Sequence, residues 1–463
     1  MLPLSCDCGV LRLALRTHLE ISMHDHTRRE FLALSAAVGA ASLVVPSGFG
    51  LNIALAQQAK PAAAGGDGAG KIVRIGLVGC GGRGSGAAND SLTANPNVKL
   101  VAMADVDLAK AKGARDALKE AHGDRVEVSD ERIFGGLDGY QKICDLKDVD
   151  LVLLATAPGF RPIHIAAAVA AGKHVFAEKP VCVDTAGYHV CCAAHDLAKK
   201  QGTAIVTGTQ YRRQPSFIEG IKRIREGMIG EVVGMTARYC SNGIWYRERQ
   251  PGMSDMEYQI YNWMHFIWLS GDQIAEQAVH NIDIIHWVMG GPPTRCFASG
   301  SRWNRPADSE MWDSVSCDFE WANGKICSFT GRHWPNSDNQ LDNVVYGSRG
   351  IAYLRAFDSG TQIYDHAGNE LFSIKGNLGA AYRQEHKELV ESIVTGKPIV
   401  ELRQTAESSM MAVMGREAAY SGQIATWDFM TTKSKLDLMP KVVQIPGDAP
   451  APFVRKPGEY RLQ

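Results

Sequence analysis

Residues 71–84 read KIVRIGLVGCGGRG, and the reading of this stretch decides the fold. An apolar run rich in Val, Ile and Leu stops at Gly79-Cys80-Gly81-Gly82-Arg83-Gly84, a GxGxxG that follows a predicted strand and opens a predicted helix. Alone the motif is weak; between strand and helix it reads as a dinucleotide-binding turn. Gly79 permits the tight turn, Gly81 lets backbone approach a pyrophosphate, and Gly84 allows the helix to pack close to the strand. Gly82 and Arg83 complete the loop, where the first amides of the helix face the phosphates. The next apolar run ends VAMAD, placing Asp105 about twenty residues beyond Gly84. A carboxylate there accepts hydrogen bonds from the adenosine ribose hydroxyls and repels a 2′-phosphate, so NAD is favoured over NADP. The plainer alternative, a glycine-rich turn serving packing alone, does not explain the placed acid.

Outward from this turn the chain alternates. KIVRIGLVG, VKLVAMAD, VDLVLLAT, KHVFAEK and TAIVTGTQ read as strands, and SGAANDSLTA, DLAKAKGARDALKEA, RPIHIAAAVAAG and DTAGYHVCCAAHDLAKKQ as the helices between them. Near-continuous apolar strands separated by helices predict a parallel sheet covered on both faces, a Rossmann domain over 71–210. Beyond it EVVGMTARYCSN, TRCFASGSRW, DSVSCDFEW, KICSFTGRHW, DNVVYGSRG and IAYLRAF alternate and are bounded by turns, as antiparallel strands are. YRQEHKELVESIVTG and TAESSMMAVMGREAAYSG follow as helices. The fold class is therefore α/β: an N-terminal Rossmann domain and, over 211–430, a C-terminal α/β domain with an open, mainly antiparallel sheet. Residues 431–463, with several prolines, read as an extended tail.

At 463 residues two domains are the default expectation. Lys plus Arg number 49 against 50 Asp plus Glu, so no broad basic field points to nucleic acid or anionic membrane. The N-terminus carries an address. Thr27–Leu32 reads TRREFL, with Arg28 and Arg29 ahead of an apolar run from Phe31 to Val45, the twin-arginine pattern. Ala54-Leu55-Ala56 supplies a small-x-small cleavage site, so 1–56 is expected to be a signal peptide with an upstream extension, and Met23 a second candidate start. The apolar run is short for a stable membrane span. Residues 57–70, QQAKPAAAGGDGAG, read as a linker. The expectation is a periplasmic or otherwise exported protein handed to the twin-arginine machinery already folded. Nine of the eleven cysteines lie beyond the cleavage site, odd in number and irregular in spacing, against a disulfide framework.

Ala155–Pro180 reads ATAPGFRPIHIAAAVAAGKHVFAEKP. With the glycine loop, this resembles the Gfo/Idh/MocA family of nicotinamide-dependent oxidoreductases over about 71–430. Thr156 and Pro158 match the family's threonine–proline turn, Ala171–Val175 its AGKHV, and Glu178-Lys179-Pro180 its EKP. The resemblance implies that Lys179 lies at the nicotinamide and contacts the hydroxyl being oxidised, while Glu178 helps seat the cofactor. Thr156, Pro158 and His164 join the cofactor site on the same ground. Gln210, in a Gln-Tyr-Arg-Arg stretch that resembles the family's strand after the Rossmann unit, is placed near the nicotinamide, and Arg212 is placed with the substrate or, on the plainer reading, paired with an acid.

The family's second signature, DxxxH on a helix of the second domain, aligns here with Glu276-x-x-x-His280 within GDQIAEQAVHNIDIIHW, residues 271–287. Glutamate replaces the family's aspartate. On one continuous helix of 3.6 residues per turn, Glu276, His280, Asp283 and Trp287 share a stripe and His286 points away. Three readings compete. Glu276, His280 and Asp283 as metal ligands lack a further ligand motif, and no metal is expected. A buried structural network is the second reading. In the third, the one favoured, a carboxylate fixes the imidazole tautomer and His280 takes the hydroxyl proton. Trp263, in the aromatic run YQIYNWMHFIWL, is a candidate for stacking on a sugar ring or for the core; Asp283 and His280 are substrate-side candidates.

An exported dehydrogenase meets no pool of free NAD, so tightly held cofactor is expected. The resemblance implies a carbohydrate substrate, a sugar, polyol or glycoside whose hydroxyl is oxidised. A redox-neutral glycoside hydrolase or lyase, and a non-catalytic carbohydrate-binding relative, are the alternatives. An exposed apolar sheet face, a family expectation, predicts a homo-oligomer, dimer or tetramer.

Overall fold

The computed structural model describes residues 71–463. The expected signal peptide and linker lie outside the described residues. Six parallel strands form the first sheet: β1 (Val73–Val78), β2 (Val98–Ala104), β3 (Ile133–Phe134), β4 (Leu151–Leu154), β5 (His174–Ala177) and β6 (Ile205–Thr207), in the order β3-β2-β1-β4-β5-β6. The order reverses between β1 and β4, so a crevice opens at the carboxyl ends of the central strands. Val73, Ile75, Leu77, Leu151, Leu153 and Phe176 have no solvent exposure, as strands covered on both faces require. The two-residue β3 and the helix Gly139–Asp145 were not expected from the sequence; both are too short to show periodicity.

The second sheet has nine strands, β7 (Val232–Ser241), β8 (Arg295–Ser301), β9 (Ser314–Glu320), β10 (Ile326–His333), β11 (Gln340–Gly347), β12 (Gly350–Arg355), β13 (Gly360–Asp365), β14 (Glu370–Ile374) and β15 (Ala425–Thr426). Their order is β14-β13-β12-β11-β7-β10-β9-β8-β15, antiparallel throughout except for the parallel β7–β10 pair. Three of these strands, β13, β14 and β15, escaped the sequence reading. Helices Pro215–Arg225, Val279–Met289 and Leu402–Ser421 pack on one face. The alternating burial of β8 to β10 leaves the opposite face open, with Phe297 and Ile326 exposed among polar neighbours.

GDQIAEQAVHNIDIIHW is not one helix. Asp272–Glu276 and Val279–Met289 are separate helices, broken at Gln277-Ala278, so the single stripe drawn through Glu276 and His280 does not exist. The nine cysteines from Cys80 to Cys327 are free thiols, all buried except the half-buried Cys192.

Candidate active site

Gly79, Asp105, Thr156, Glu178, Lys179 and Gln210 all follow the carboxyl ends of parallel strands. That placement answers the order reversal in the sheet. Gly79 has a φ of +90°, and a Cβ there would lie 2.7 Å from the Ala155 carbonyl carbon. A Cβ on Gly84 would lie 1.8 Å from the Gly79 oxygen, whereas one on Gly81 would meet nothing within 4 Å. Two glycines thus serve packing, and the third faces space left for a ligand. Asp105 accepts from the Cys80 amide at 2.7 Å and the Asp107 amide at 3.0 Å, which holds its carboxylate under the loop.

Arg83 turns inward, away from solvent-facing positions of the loop. Its Nε donates to Glu178, its guanidinium lies 4.4 Å from the Tyr382 ring centroid, and Nη2 lies 3.9 Å from Glu385. Burial opposes its charge, but Glu178, then Tyr382, Asp90 and Glu385, hold it protonated. Tyr382 and Glu385 were missed by the sequence reading. They stand three residues apart on helix Leu378–Val394, which packs against the glycine-loop helix Gly82–Ala94. Glu385 has no solvent exposure and neither carboxylate oxygen has a hydrogen-bond partner; burial, then Glu178, pushes its carboxyl well above the usual range. Gln210 is equally buried, with both amide atoms unpartnered. Orphaned buried polar atoms call for a partner, and an amide beside a nicotinamide carboxamide meets that need. The glycine cradle, Asp105 and Gln210 fit NAD.

Thr156 Oγ1 lies 3.1 Å from His164 Nδ1, and the His164 ring stacks on Tyr140 at 4.1 Å. Burial, then Arg161, pulls His164 down to about 3, so it stays neutral. Pro158 opens the single turn Pro158–Phe160. Arg161 ties two loops of the cleft together by donating to the carbonyls of Thr156 and Pro180.

Across the cleft, Lys179 Nζ lies 3.0 Å from Glu276 Oε1 and also donates to the Glu276 carbonyl. The helix break makes this second bond available. In a continuous helix that carbonyl would accept from the His280 amide; here His280 N bonds Gln277 O at 3.4 Å instead. Glu276 is therefore spent on Lys179, and the expectation that it orients His280 is corrected. The His280 ring meets the Tyr211 ring edge at 5.6 Å, and burial, then Lys179, then Arg83, pushes it well below its usual range. Burial and the neighbouring ammonium thus both favour the neutral imidazole.

Asp283 and Arg212 require a second correction. Arg212 Nε lies 2.7 Å and Nη2 2.9 Å from the two Asp283 oxygens, and Ser408 donates to Asp283 at 2.7 Å. Both side chains are nearly buried, so they bind one another and neither is free to hold substrate. Pairing satisfies two charges that burial would otherwise penalise. His286, expected to be structural, lies 3.0 Å from Glu407. The aromatic run divides: Tyr258, Phe266, Trp268 and Leu269 form a core cluster, and Trp263 packs half-buried against it, 5.9 Å from Trp245. Among the described residues no group of metal-ligating side chains is assembled, and no helix is long and apolar enough to cross a membrane.

Comparison with known proteins agrees with this geometry. Residues 73–209 match the family model described as "Oxidoreductase family, NAD-binding Rossmann fold", and residues 219–353 match "GFO/IDH/MocA C-terminal domain". Inositol 2-dehydrogenase of Rhizobium meliloti is 27% identical over 282 residues, which are 60% of this chain and 74% of that protein. Inositol 2-dehydrogenase of Acidothermus cellulolyticus is 27% identical over 53% of this chain and 62% of its own length. A levoglucosan dehydrogenase solved with NADH and levoglucosan aligns over 76% of this chain and 99% of its own, at TM-score 0.62 and 18% identity. Scyllo-inositol dehydrogenase of Lactobacillus casei, solved with NAD(H) and scyllo-inositol, aligns over 77% and 99% at TM-score 0.59 and 18% identity. At such identities the two solved structures speak for the fold. The two family models together take in more than half of the sequence, and the chain belongs to the Gfo/Idh/MocA family of NAD-binding oxidoreductases.

Proposed function

We propose that the protein oxidises a ring hydroxyl of a polyol or sugar, with NAD as hydride acceptor. The observation that carries the reading is the Lys179–Glu276 contact, which joins the EKP turn of the first domain to the ExxxH stretch of the second, 97 residues on. NAD, when bound, takes the hydride from the carbinol carbon. Lys179 Nζ, held by the side chain and carbonyl of Glu276, retains a third hydrogen to offer the substrate oxygen. His280, four residues past Glu276 and at the start of the next helix, is the residue assigned to accept the hydroxyl proton. Gly79 and Gly84 shape the loop whose Gly81–Gly82 backbone would take the pyrophosphate, Asp105 would take the ribose, and Glu178 holds Arg83 in that loop. The inositol 2-dehydrogenases among its relatives support a cyclic polyol.

Export by the twin-arginine route, with cofactor tightly held, belongs to the same proposal and rests on Arg28-Arg29 and the apolar run behind them. Self-association through the open sheet face is supported by exposed Phe297 and Ile326. A redox-neutral glycoside hydrolase is the second reading. It is favoured by a local likeness to "Glycosyl hydrolase family 109 protein 4" of Phocaeicola vulgatus, 36% identical over 111 residues. Purified protein incubated with polyols and nitrophenyl glycosides separates the readings. Absorbance of NADH at 340 nm with added NAD supports the dehydrogenase. Release of nitrophenol without net NADH favours the hydrolase. Neither signal across the panel, with saturable sugar binding, leaves a binding protein.

A further inference from the structure

From Gly271 to His286 every residue is buried except Glu276 and Gln277, the two at the helix break. Glu276 is occupied by Lys179. Gln277 makes one side-chain hydrogen bond among the described residues, from its Oε1 to His333 Nε2 at 2.6 Å. His333 closes β10, is 2% exposed, and lies with Nδ1 2.8 Å from Arg305 Nη2. Arg305 is itself anchored to buried Asp313, Nε to Oδ1 at 3.0 Å.

This chain of contacts has one direction. A guanidinium only donates, so His333 Nδ1 is the acceptor and carries no proton. Burial, then Arg305 and His265, keep the imidazole neutral, so its single proton sits on Nε2. That N–H donates, and the Gln277 atom it meets must be the carboxamide oxygen. The Gln277 NH2 is therefore turned away from His333 with two hydrogens unspent, on a half-buried residue next in the chain to Glu276, which holds Lys179. A glutamine pinned through its oxygen by a buried histidine, arginine and aspartate is preorganised, and only its donor side is left to offer.

We propose that Gln277 is a substrate-positioning residue whose NH2 donates to an acceptor oxygen, a neighbouring hydroxyl or ring oxygen, of the molecule whose reacting hydroxyl meets Lys179. The inference rests on the function proposed above. It adds a specificity: this side chain favours an oxygen and offers nothing to an ammonium, because its own acceptor is spent on His333. Asp313 also accepts from the amide of Asn304 at 2.8 Å, so the loop carrying the exposed Trp303 is tied to the same anchor.

The test uses the full-length protein with NAD, reading NADH formation from myo-inositol, levoglucosan and the monodeoxy-inositols. NAD affinity and thermal unfolding are measured alongside for wild type, Gln277→Leu and Gln277→Asn. The expected result is a KM raised about tenfold in both variants, with kcat and NAD affinity near wild type, since a ground-state hydrogen bond is lost. One monodeoxy analogue is to show that same loss in wild type and no further loss in Gln277→Leu, which a merely structural role would not produce. Unchanged KM for every compound, or an equal loss across all analogues, overturns the inference while the function stands. A wild-type protein that oxidises none of the panel overturns the function reading, and this inference with it.

Discussion

The turn at Gly79–Gly84 and the break at Gln277-Ala278 both suspend regular backbone at the cleft, and different physics does it in each. The turn is made by its own glycines. Gly84 lies against the Gly79 carbonyl five residues back, Gly79 lies against the Ala155–Thr156 backbone beyond β4, and Gly81 faces open space. The break contains no glycine or proline. It is held open from outside, by Lys179 capturing the Glu276 carbonyl and by His333 capturing Gln277. A cofactor common to many enzymes is met by backbone written into a short motif. A substrate peculiar to one of them is met by backbone that the rest of the fold must arrange.

The sharpest way to break this contrast is Lys179→Ala. Removing the ammonium is expected to lower kcat about 10²- to 10⁴-fold, with NAD affinity little changed, measured by steady-state NADH formation and cofactor titration. Wild-type turnover would separate the break from the chemistry. Arg212→Met comes next. It strands the Asp283 carboxylate in a nearly dry site and is expected to cost about 3–5 kcal/mol of stability, read by urea denaturation, whereas a free substrate-binding arginine would cost little.

A smaller effect divides the turn itself. Gly84→Ala should cost roughly 2–4 kcal/mol of stability, read as a lowered urea midpoint, because its Cβ meets a carbonyl oxygen. Gly81→Ala should leave the midpoint in place and weaken NAD about tenfold. Equal destabilisation by both would make the loop a packing device alone.

The smallest expected effect is one of pH. Burial holds His164, on the cofactor side, down to about 3 and His265, on the other, down to about 4. Below the ordinary histidine range the unfolded chain takes protons that the folded one refuses. Their contribution is complete above about pH 6.5 and is lost as pH falls towards 4, by up to about 1.4 kcal/mol per group per unit. Asp90, raised by burial to about 6, works with the opposite sign, since its stabilisation fades as pH rises from about 4 to 6. Denaturation midpoints at pH 7.5, 6 and 5 check the balance. His164→Gln should flatten the profile on one side of the cleft and His265→Gln on the other.

The parallel sheet and glycine loop were legible in the sequence because their signals are short-range: continuous apolar strands, helical spacing, and glycines at fixed offsets. The break was not. GDQIAEQAVHNIDIIHW has helical composition throughout, and the groups that interrupt it, Lys179 and His333, come from distant strands. The same distance hid which acid Arg212 pairs with, and so hid that Asp283 is spent on it rather than on substrate. Glu385 went unseen for another reason: on its amphipathic helix it reads as a surface acid, and only the packing of that helix on the glycine-loop helix buries it. Short strands such as Ile133–Phe134 and Ala425–Thr426 carry too few residues to show alternation.

Glu276 has a consequence for anyone recombining these proteins. Where the family pattern has aspartate, this chain spans the gap to Lys179 with one methylene more, so the two domains are gauged to each other by a side-chain length. A hybrid joining this nucleotide-binding half to the second half of an aspartate-bearing relative inherits a mismatch at that gauge. Its repair lies in a single codon, aspartate to glutamate, rather than in redesign of the surrounding seam.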